Sequence, residues 1–212
     1  MVVVTADPAV LPADLAARAR RLALSGRRLL GIAGAPGTGK STVAEAIVRA
    51  LAPDAALVPM DGFHLASSEL HRLGRASRKG APDTFDAAGY IALLRRLKSV
   101  EDDIVYAPAF HREIEEAVAG SIPIPRTVPL IVTEGNYLLL DTHPWTAVRG
   151  LLDEAWYVEQ DDGVRVERLI ARHIAYGKEP DFARAWVLGS DQRNAELIAT
   201  SRHRADLVVE LS

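Results

Sequence analysis

The 212-residue sequence contains no cysteine, which excludes a disulfide scaffold and a thiolate metal site and fits a reducing compartment. It also has no apolar run of membrane-spanning length, and its first residues do not combine a basic region with a following apolar stretch. We therefore expect a cytoplasmic protein that has no membrane as a partner.

The sequence also lacks an excess of one charge sign. Lysine and arginine number 25 and aspartate and glutamate 28, so the net charge is −3 and the isoelectric point is about 6.1. This balance lacks the excess of basic residues that is typical of proteins that bind nucleic acid, so we do not expect nucleic acid as a partner. With 49% hydrophobic residues, the chain is long enough to bury one substantial core, and we expect one domain over residues 1–212.

What the sequence does contain is a complete phosphate-binding loop at residues 34–41, GAPGTGKS, which fits the spacing GxxxxGKS. Its glycines let backbone N–H groups turn toward a phosphate. In this motif Lys40 reaches the β- and γ-phosphates, and the Ser41 hydroxyl is a Mg²⁺ ligand. The predicted nucleotide-binding residues are Gly34, Ala35, Pro36, Gly37, Thr38, Gly39, Lys40, Ser41 and Thr42.

The segments on either side of this loop have the pattern that a P-loop requires. Residues 27–34 form a short apolar run of strand length, and residues 41–51 place apolar side chains at helical spacing. Pro53 follows directly after the predicted end of that helix. A glycine-rich turn that matches the motif by chance is therefore disfavoured.

Predicted strands and helices alternate along most of the chain. The strands are expected at residues 27–34, 56–60, 130–140, 154–160 and 205–211. The helices are expected at about residues 12–24, 41–51, 86–99, 162–176 and 181–200. This alternation predicts an α/β fold, a three-layer sandwich around a five-stranded, mostly parallel sheet.

Three further segments lie outside this alternation. Residues 1–10 are expected to form a loose tail, and the polar residues 62–86 a loop with short helical pieces. Residues 104–129 are β-branched but broken by prolines, which favours an edge hairpin outside the main sheet.

Carboxylates occur where two predicted strands end. Ligands of open α/β sheets bind outside the carboxyl ends of the strands, so Asp61 and Glu134 are candidate catalytic residues together with Lys40. One carboxylate would help to hold Mg²⁺, and the other would orient or deprotonate an accepting hydroxyl. The alternatives are a turn residue before Gly62 for Asp61 and a capping carboxylate for Glu134.

Four motifs follow the P-loop in a specific order. They are PMDGFHL (59–65), RKGAPDTFD (78–86), VYAPAF (105–110) and VTEGNYLLL (132–140). This set resembles the uridine kinase, phosphoribulokinase and bacterial pantothenate kinase family over about residues 29–211.

The resemblance implies a P-loop kinase that uses ATP and Mg²⁺ to phosphorylate a hydroxyl of a small metabolite, with a five-stranded parallel core and a mobile helical lid. By motif matching, Asp61 corresponds to the catalytic base of the family, and Glu134 to its acidic residue near the metal, where Ser41 is the other expected metal ligand.

The lid would lie at about residues 168–185. Arg168 and Arg172 share one helix face there, and Lys178 follows a glycine that would permit movement. An arginine that closes on the transferred phosphoryl group would offset its charge, so Arg172 is a candidate catalytic residue. The alternative for both arginines is a solvated charged face.

The acceptor region departs from the uridine kinase pattern. Those enzymes typically follow the VYAPAF-like segment with aspartate, histidine and arginine, whereas this chain continues with His111, Arg112 and Glu113. The segment RKGAPDTFD is closer to the pantothenate kinase version, but the longer acceptor region of that enzyme is absent. A sugar, a nucleoside and a pantothenate-like compound remain as acceptors. The candidate pocket residues, each with a structural loop role as its alternative, are His64, Lys79, Asp83, Tyr106, Phe110 and His111.

A regulatory or chaperone NTPase is the competing class. A guanine-specific switch needs an NKxD-type motif, which the sequence lacks, and the DxxG match at residues 86–89 opens an amphipathic helix. Intact Lys40, Ser41, Asp61 and Glu134 disfavour a nucleotide-binding protein without turnover. The sequence leaves the oligomeric state undecided, with a homodimer among the alternatives.

Overall fold

Six parallel strands form the central sheet. In a computed structural model that describes residues 2–6 and 11–211, these strands are β1 (Val2–Ala6), β2 (Arg28–Gly34), β3 (Ala55–Pro59), β6 (Leu130–Gly135), β7 (Glu154–Glu159) and β8 (Leu207–Leu211). They pair in the order β1-β8-β7-β2-β6-β3, with every pair parallel. The predicted parallel α/β sheet is confirmed, with six strands rather than five.

The additional strand is β1, and the expected loose tail is wrong for residues 2–6. These residues pair in register with β8, for example Val3 with Val208. The run is rich in β-branched valine, which suits a strand, but its partner lies at the opposite end of the chain. A local pattern cannot show such a pairing. The rest of the predicted tail, residues 1 and 7–10, lies outside the described residues.

Helices connect the strands, but the expected helix at residues 181–200 is divided into two, the short helix after β6 was not predicted, and the expected strand at residues 130–140 ends at Gly135. The helices are α1 (Ala13–Ala23), α2 (Lys40–Leu51), α3 (Ser67–Arg72), α4 (Ala87–Ser99), α5 (Thr146–Arg149), α6 (Asp162–Ala175), α7 (Pro180–Trp186) and α8 (Gln192–Ala199). A π-helical turn, Val187–Asp191, joins the last two. No helix within the described ranges is both long and apolar enough to cross a membrane.

The sheet is covered on both faces because successive side chains of a strand point to opposite sides. Leu30 and Ile32 of β2 pack with apolar residues of α1 and α2. Leu29 and Ala33 of the same strand join the other core, to which α4, part of α8 and the hairpin contribute. Strands that are buried on both faces have sequences that are continuous apolar runs.

The predicted hairpin is also present. It consists of β4 (Ile104–His111) and β5 (Glu116–Pro125), which pair antiparallel and form a separate two-stranded sheet. It packs against the 3-10 turn Met60–Phe63 that follows β3, so closely that a Cβ atom at Gly62 would overlap the backbone oxygen of Pro108. The hairpin therefore stands at the carboxyl end of the sheet.

Candidate active site

The P-loop runs from the end of β2 to the first turn of α2. Gly37 and Gly39 have φ angles of 83° and 88°, a left-handed conformation that favours glycine. A Cβ atom at Gly34 would lie 2.6 Å from the backbone oxygen of Val158, and one at Gly37 would lie 2.7 Å from the side chain of Leu169. The loop is thus wedged between β7 and α6, and α2 begins without a side-chain cap. Its first N–H groups can receive a phosphate.

Three predicted catalytic residues meet at the carboxyl ends of neighbouring strands. Glu134 is the penultimate residue of β6, and its buried side chain (5% exposed) accepts a hydrogen bond from Ser41. Burial raises the pKa of Glu134 to about 7, although the charge of Lys40 acts in the opposite direction. Burial likewise lowers the pKa of Lys40, and the charges of Glu134 and Asp61 oppose that shift. The Lys40 ammonium group thus lies in the field of two carboxyl groups.

Asp61 lies in the 3-10 turn that follows β3. An Arg112 nitrogen is 3.6 Å from its carboxylate, and the Nδ1 atom of His64 is 2.8 Å from its backbone oxygen. Burial alone would raise the pKa of Asp61, but the charges of His64, Lys40 and Arg112 outweigh it, so the pKa lies below its ordinary value. Asp61 is therefore a carboxylate at neutral pH.

Arg168 and Arg172, the two arginines of α6 that were predicted to belong to the lid, differ in exposure. Arg168 is exposed and Arg172 is half-buried. Both line a cavity of about 380 Å³ with P-loop residues and Leu169. Burial, followed by the charge of Arg112, lowers the pKa of Arg172, which the charge of Asp61 opposes. Arg172 is thus the arginine that faces the catalytic groups.

A second cavity of about 390 Å³ opens on the other side of Lys40 and Ser41, and Asp61 lines it. His64, Lys79 and Phe110, three predicted acceptor residues, also line this cavity. The His64 ring packs 4.7 Å from that of Phe110, and the Lys79 ammonium lies 5.2 Å from the Phe110 ring centroid.

The structure does not bring the other three predicted acceptor residues into this cavity. Asp83 is exposed and ion-paired with Arg78. Tyr106 is 54% exposed on β4, and His111 is exposed at the end of the same strand. Their positions give them no contact with an acceptor beside Asp61, and we leave them out of the candidate acceptor site.

Several residues of this cavity were not among the predicted acceptor residues. They are Arg112, Glu115, Asn136, His173, Lys178 and Asp191. Arg112 directly follows the predicted pocket residue His111, and Asn136 belongs to the VTEGNYLLL motif. The sequence therefore offered a reason to include both residues in the predicted pocket. His173, Lys178 and Asp191 lie on α6, the following turn and the π-helical turn, and only the folded chain brings them together.

The residues present fit ATP with Mg²⁺. The left-handed glycines and the uncapped start of α2 suit a triphosphate, while Ser41 and Glu134 supply adjacent oxygen ligands. Among the described residues there is no group of three or more histidine, cysteine or acidic side chains that could hold a metal ion. Mg²⁺ usually binds one or two protein ligands together with substrate phosphates and water, and therefore does not need such a group.

Comparisons with known proteins agree with this geometry. The model of the phosphoribulokinase / uridine kinase family matches residues 29–211. A putative uridine kinase of Schizosaccharomyces pombe is 34% identical over 160 residues, which cover 71% of this chain and 68% of that protein. An ATP-dependent kinase-like protein of Aspergillus versicolor is also 34% identical, over 68% of this chain and 88% of its own length.

A solved structure shows the same fold. The crystal structure of a putative fructose transport system kinase from Silicibacter sp. TM1040 is 35% identical and has a TM-score of 0.82. The match covers 91% of this chain and 97% of that one. The chain therefore belongs to the phosphoribulokinase and uridine kinase family, and it is an ATP-dependent kinase of a small molecule.

Proposed function

We propose that the protein transfers the γ-phosphate of ATP to a hydroxyl group of a small polar metabolite, with Asp61 as the general base. The observation that carries this proposal is that the two cavities share Lys40, Ser41 and Arg172. A phosphate chain bound at the P-loop would end at these shared residues. An acceptor in the second cavity would then lie between that phosphate and Asp61.

The charges at this junction suit phosphoryl transfer. The Asp61 carboxylate accepts the proton of the acceptor hydroxyl while the hydroxyl oxygen bonds to the γ-phosphorus. The bond between that phosphorus and the β,γ-bridging oxygen breaks, and ADP leaves with the electron pair. Lys40 and Arg172 offset the negative charge on the transferred group. Ser41 and Glu134 would hold Mg²⁺, which when bound neutralises charge on the phosphates.

Residues 168–185 would act as the lid of this site within one domain of residues 1–212. They contain the end of α6 with Arg172, the turn around Gly177 with a φ angle of 87°, and most of α7. A glycine at this turn permits a change in the angle between the two helices. Closure would bring Arg172 onto the transferred phosphate and exclude water.

A metabolite with an alcohol group is the expected acceptor, and a sugar, a nucleoside and a pantothenate-like compound are the classes to test. A relative whose structure superposes well is named as a putative fructose transport system kinase, which supports the inclusion of sugars. The cavity of about 390 Å³ is at the small end of the range for ligand sites, which suits a small metabolite.

The Asp61→Asn variant tests this proposal. We expect turnover to fall roughly 10²-fold or more because the general base is lost, while the affinity for an ATP analogue stays near normal. Formation of ADP in the presence of a panel of acceptors would be measured together with nucleotide binding. Asp83→Asn is the matched control, because Asp83 is exposed and lies outside the cavity. Equal losses of binding and turnover in Asp61→Asn would make Asp61 a structural residue instead.

A further inference from the structure

The charged side chains of the acceptor cavity are balanced by nearby groups of opposite sign. An Arg112 nitrogen lies 3.6 Å from the Asp61 carboxylate, and the Lys79 ammonium lies 3.9 Å from the Glu115 carboxylate. Lys79 also donates hydrogen bonds to the Glu115 backbone oxygen and to the Ser67 hydroxyl. Neither cation is left without a partner for an acidic ligand.

The third cation of this cavity belongs to a chain of contacts across the lid. The Lys178 ammonium lies 3.0 Å from Nδ1 of His173, and Nε2 of that histidine lies 3.1 Å from the Asp191 carboxylate. The same ammonium lies 4.7 Å from the centroid of the Trp186 ring. Lys178 is therefore linked through His173 to a carboxylate and is also engaged by an aromatic ring.

The two remaining cations of the cavity are Lys40 and Arg172, and both also line the P-loop cavity. They are placed to bind the phosphates of ATP. The acceptor part of the cavity is left with three cations (Lys79, Arg112 and Lys178) and three carboxylates (Asp61, Glu115 and Asp191). A site for a carboxylate or phosphate would instead present unpaired basic groups, since these make the strong charge-assisted hydrogen bonds.

One polar atom in the wall of this cavity has no partner. The side-chain oxygen of Asn136 is buried, and among the residues that the structure describes it has no hydrogen-bond partner. An unsatisfied buried carbonyl costs free energy, so it is suited to accept a hydrogen bond from a ligand. Asn136 follows β6 two residues after Glu134 and lines the same cavity as Asp61. A hydroxyl group of the acceptor can supply this hydrogen bond.

Among the five aromatic side chains that line the cavity, Phe110 and Trp186 are already engaged, and the others are Phe85, Tyr176 and Phe182. The Phe110 ring contacts His64 and has the cations of Lys79 and Arg112 at 5.2 and 6.0 Å from its centroid. Trp186 is engaged by the Lys178 ammonium as described above. A planar base would have to displace these groups in order to stack on either ring. The Phe85 ring packs against His64 and Trp145, whereas Tyr176 and Phe182 lie in the proposed lid. The wall of the cavity beside Asp61 is therefore better suited to hydroxyl groups than to a nucleobase.

From these contacts we infer that the acceptor is an uncharged sugar or polyol, and that Asn136 accepts a hydrogen bond from one of its hydroxyl groups. This inference rests on the proposed function, because it names the substrate class of the same site. It distinguishes the chain from kinases of carboxylated, phosphorylated or nucleoside acceptors.

A panel of acceptors tests the substrate class. ADP formation would be measured with uncharged hexoses, pentoses and polyols, with sugar acids and pantothenate, with sugar phosphates, and with nucleosides. We expect the highest kcat/KM for a member of the uncharged sugar and polyol group. If a charged compound or a nucleoside is preferred, the inference is wrong while the kinase proposal stands. If none of the four groups is phosphorylated, both fail.

Two variants test the residues that carry the inference. Asn136→Ala removes the accepting oxygen, so KM for the preferred sugar or polyol should rise about tenfold while KM for ATP is unchanged. Glu115→Gln leaves Lys79 without its carboxylate, so kcat/KM for a sugar acid relative to the neutral sugar should rise about threefold. Glu113→Gln is the matched control, because Glu113 is exposed and does not line the cavity. An unchanged KM for the sugar in Asn136→Ala, or equal ratios in the two glutamate variants, would overturn the assignment of these residues.

Discussion

His64 connects the proposed base to the aromatic wall of the acceptor cavity. Its Nδ1 atom lies 2.8 Å from the Asp61 backbone oxygen, where an N–H group donates a hydrogen bond. Its ring packs 4.0 Å from Phe85 and 4.7 Å from Phe110. Burial lowers the pKa of His64, and the nearby charge of Asp61 only partly opposes the shift. The imidazole is therefore neutral in the folded protein at neutral pH.

This lowered pKa predicts a pH dependence of stability. Below about pH 6.5 the histidine of the unfolded chain binds a proton that the native His64 does not bind. The free energy of unfolding therefore falls as the pH is lowered through 6.5 toward the native pKa. His64→Gln should show a smaller loss over this interval than the parent, which urea unfolding at a series of pH values would measure.

The control for this experiment is His71→Gln, because His71 is exposed on α3. Its pH profile should follow that of the parent protein. If the His64 variant also follows the parent profile, the histidine is not held neutral by burial. If both variants have the same free energy of unfolding as the parent at high pH, the loss of the ring contacts of His64 does not affect the comparison of their pH profiles.

At the scale of secondary structure elements, the hairpin of β4 and β5 determines the acceptor side of the site. Phe110 lies on β4 and Arg112 in the turn that follows it, and both line the acceptor cavity. The hairpin contacts the turn after β3 at Gly62, where a side chain would overlap the backbone oxygen of Pro108. The position of the hairpin thus depends on the absence of a Cβ atom at one residue.

Gly62→Ala should therefore displace the hairpin from the end of β3. We expect the free energy of unfolding to fall by about 1–3 kcal/mol because the site is overpacked. Turnover should fall together with the affinity for the acceptor, while ATP affinity should be retained because the P-loop lies on a different strand. Calorimetry of ATP-analogue binding and steady-state kinetics would separate these effects.

Gly150→Ala is a suitable control for that substitution. Gly150 has a φ angle of −70°, and the nearest atom to an added Cβ would be 3.8 Å away. This variant should resemble the parent protein in stability and kinetics. Loss of ATP affinity in Gly62→Ala would show that the hairpin and the P-loop are coupled, contrary to the prediction.

The elements differ in how well they could be predicted from the sequence. The P-loop and its flanking strand and helix were predicted because contiguous residues carry the whole pattern. The hairpin was also predicted, since its β-branched and proline residues are local features. The six strands of the sheet required β1, whose pairing with β8 joins the two ends of the chain and leaves no local signal.

The acceptor cavity shows why side chains are harder to predict than elements. His111 and Arg112 are adjacent in sequence, yet only Arg112 lines the cavity, because a change of one position at a strand end alters the direction of the side chain. Asp83 was chosen from a motif but is ion-paired with Arg78. The contacts of Lys178 with His173 and Trp186 depend on the fold of the lid.

At the scale of the whole molecule, the sheet separates the catalytic residues from β1, one of its two edge strands. The P-loop follows β2, whereas β1 lies at the sheet edge beyond β8 and β7. Ala6 of β1 is buried, and Val4 packs against the core formed with α1 and α2. The first strand should therefore stabilise the fold without a direct role in the chemistry.

Removal of residues 1–6 tests this separation. The edge of β8 would lose its hydrogen-bonding partner, so we expect more aggregation and a lower Tm. A loss of about 2 kcal/mol would lower Tm by roughly 4–8 °C for a protein of this size. ATP affinity and turnover per folded molecule should stay near normal, because β8 becomes the new edge and β7 still lies between it and the P-loop strand β2. Val3→Thr, which keeps the strand and changes a side chain that is 47% exposed, is the control and should have the Tm of the parent. An unchanged Tm after the deletion would mean that β1 adds no stability. A loss of ATP affinity at a temperature where the shortened protein is folded would mean that β1 supports the P-loop across the two intervening strands.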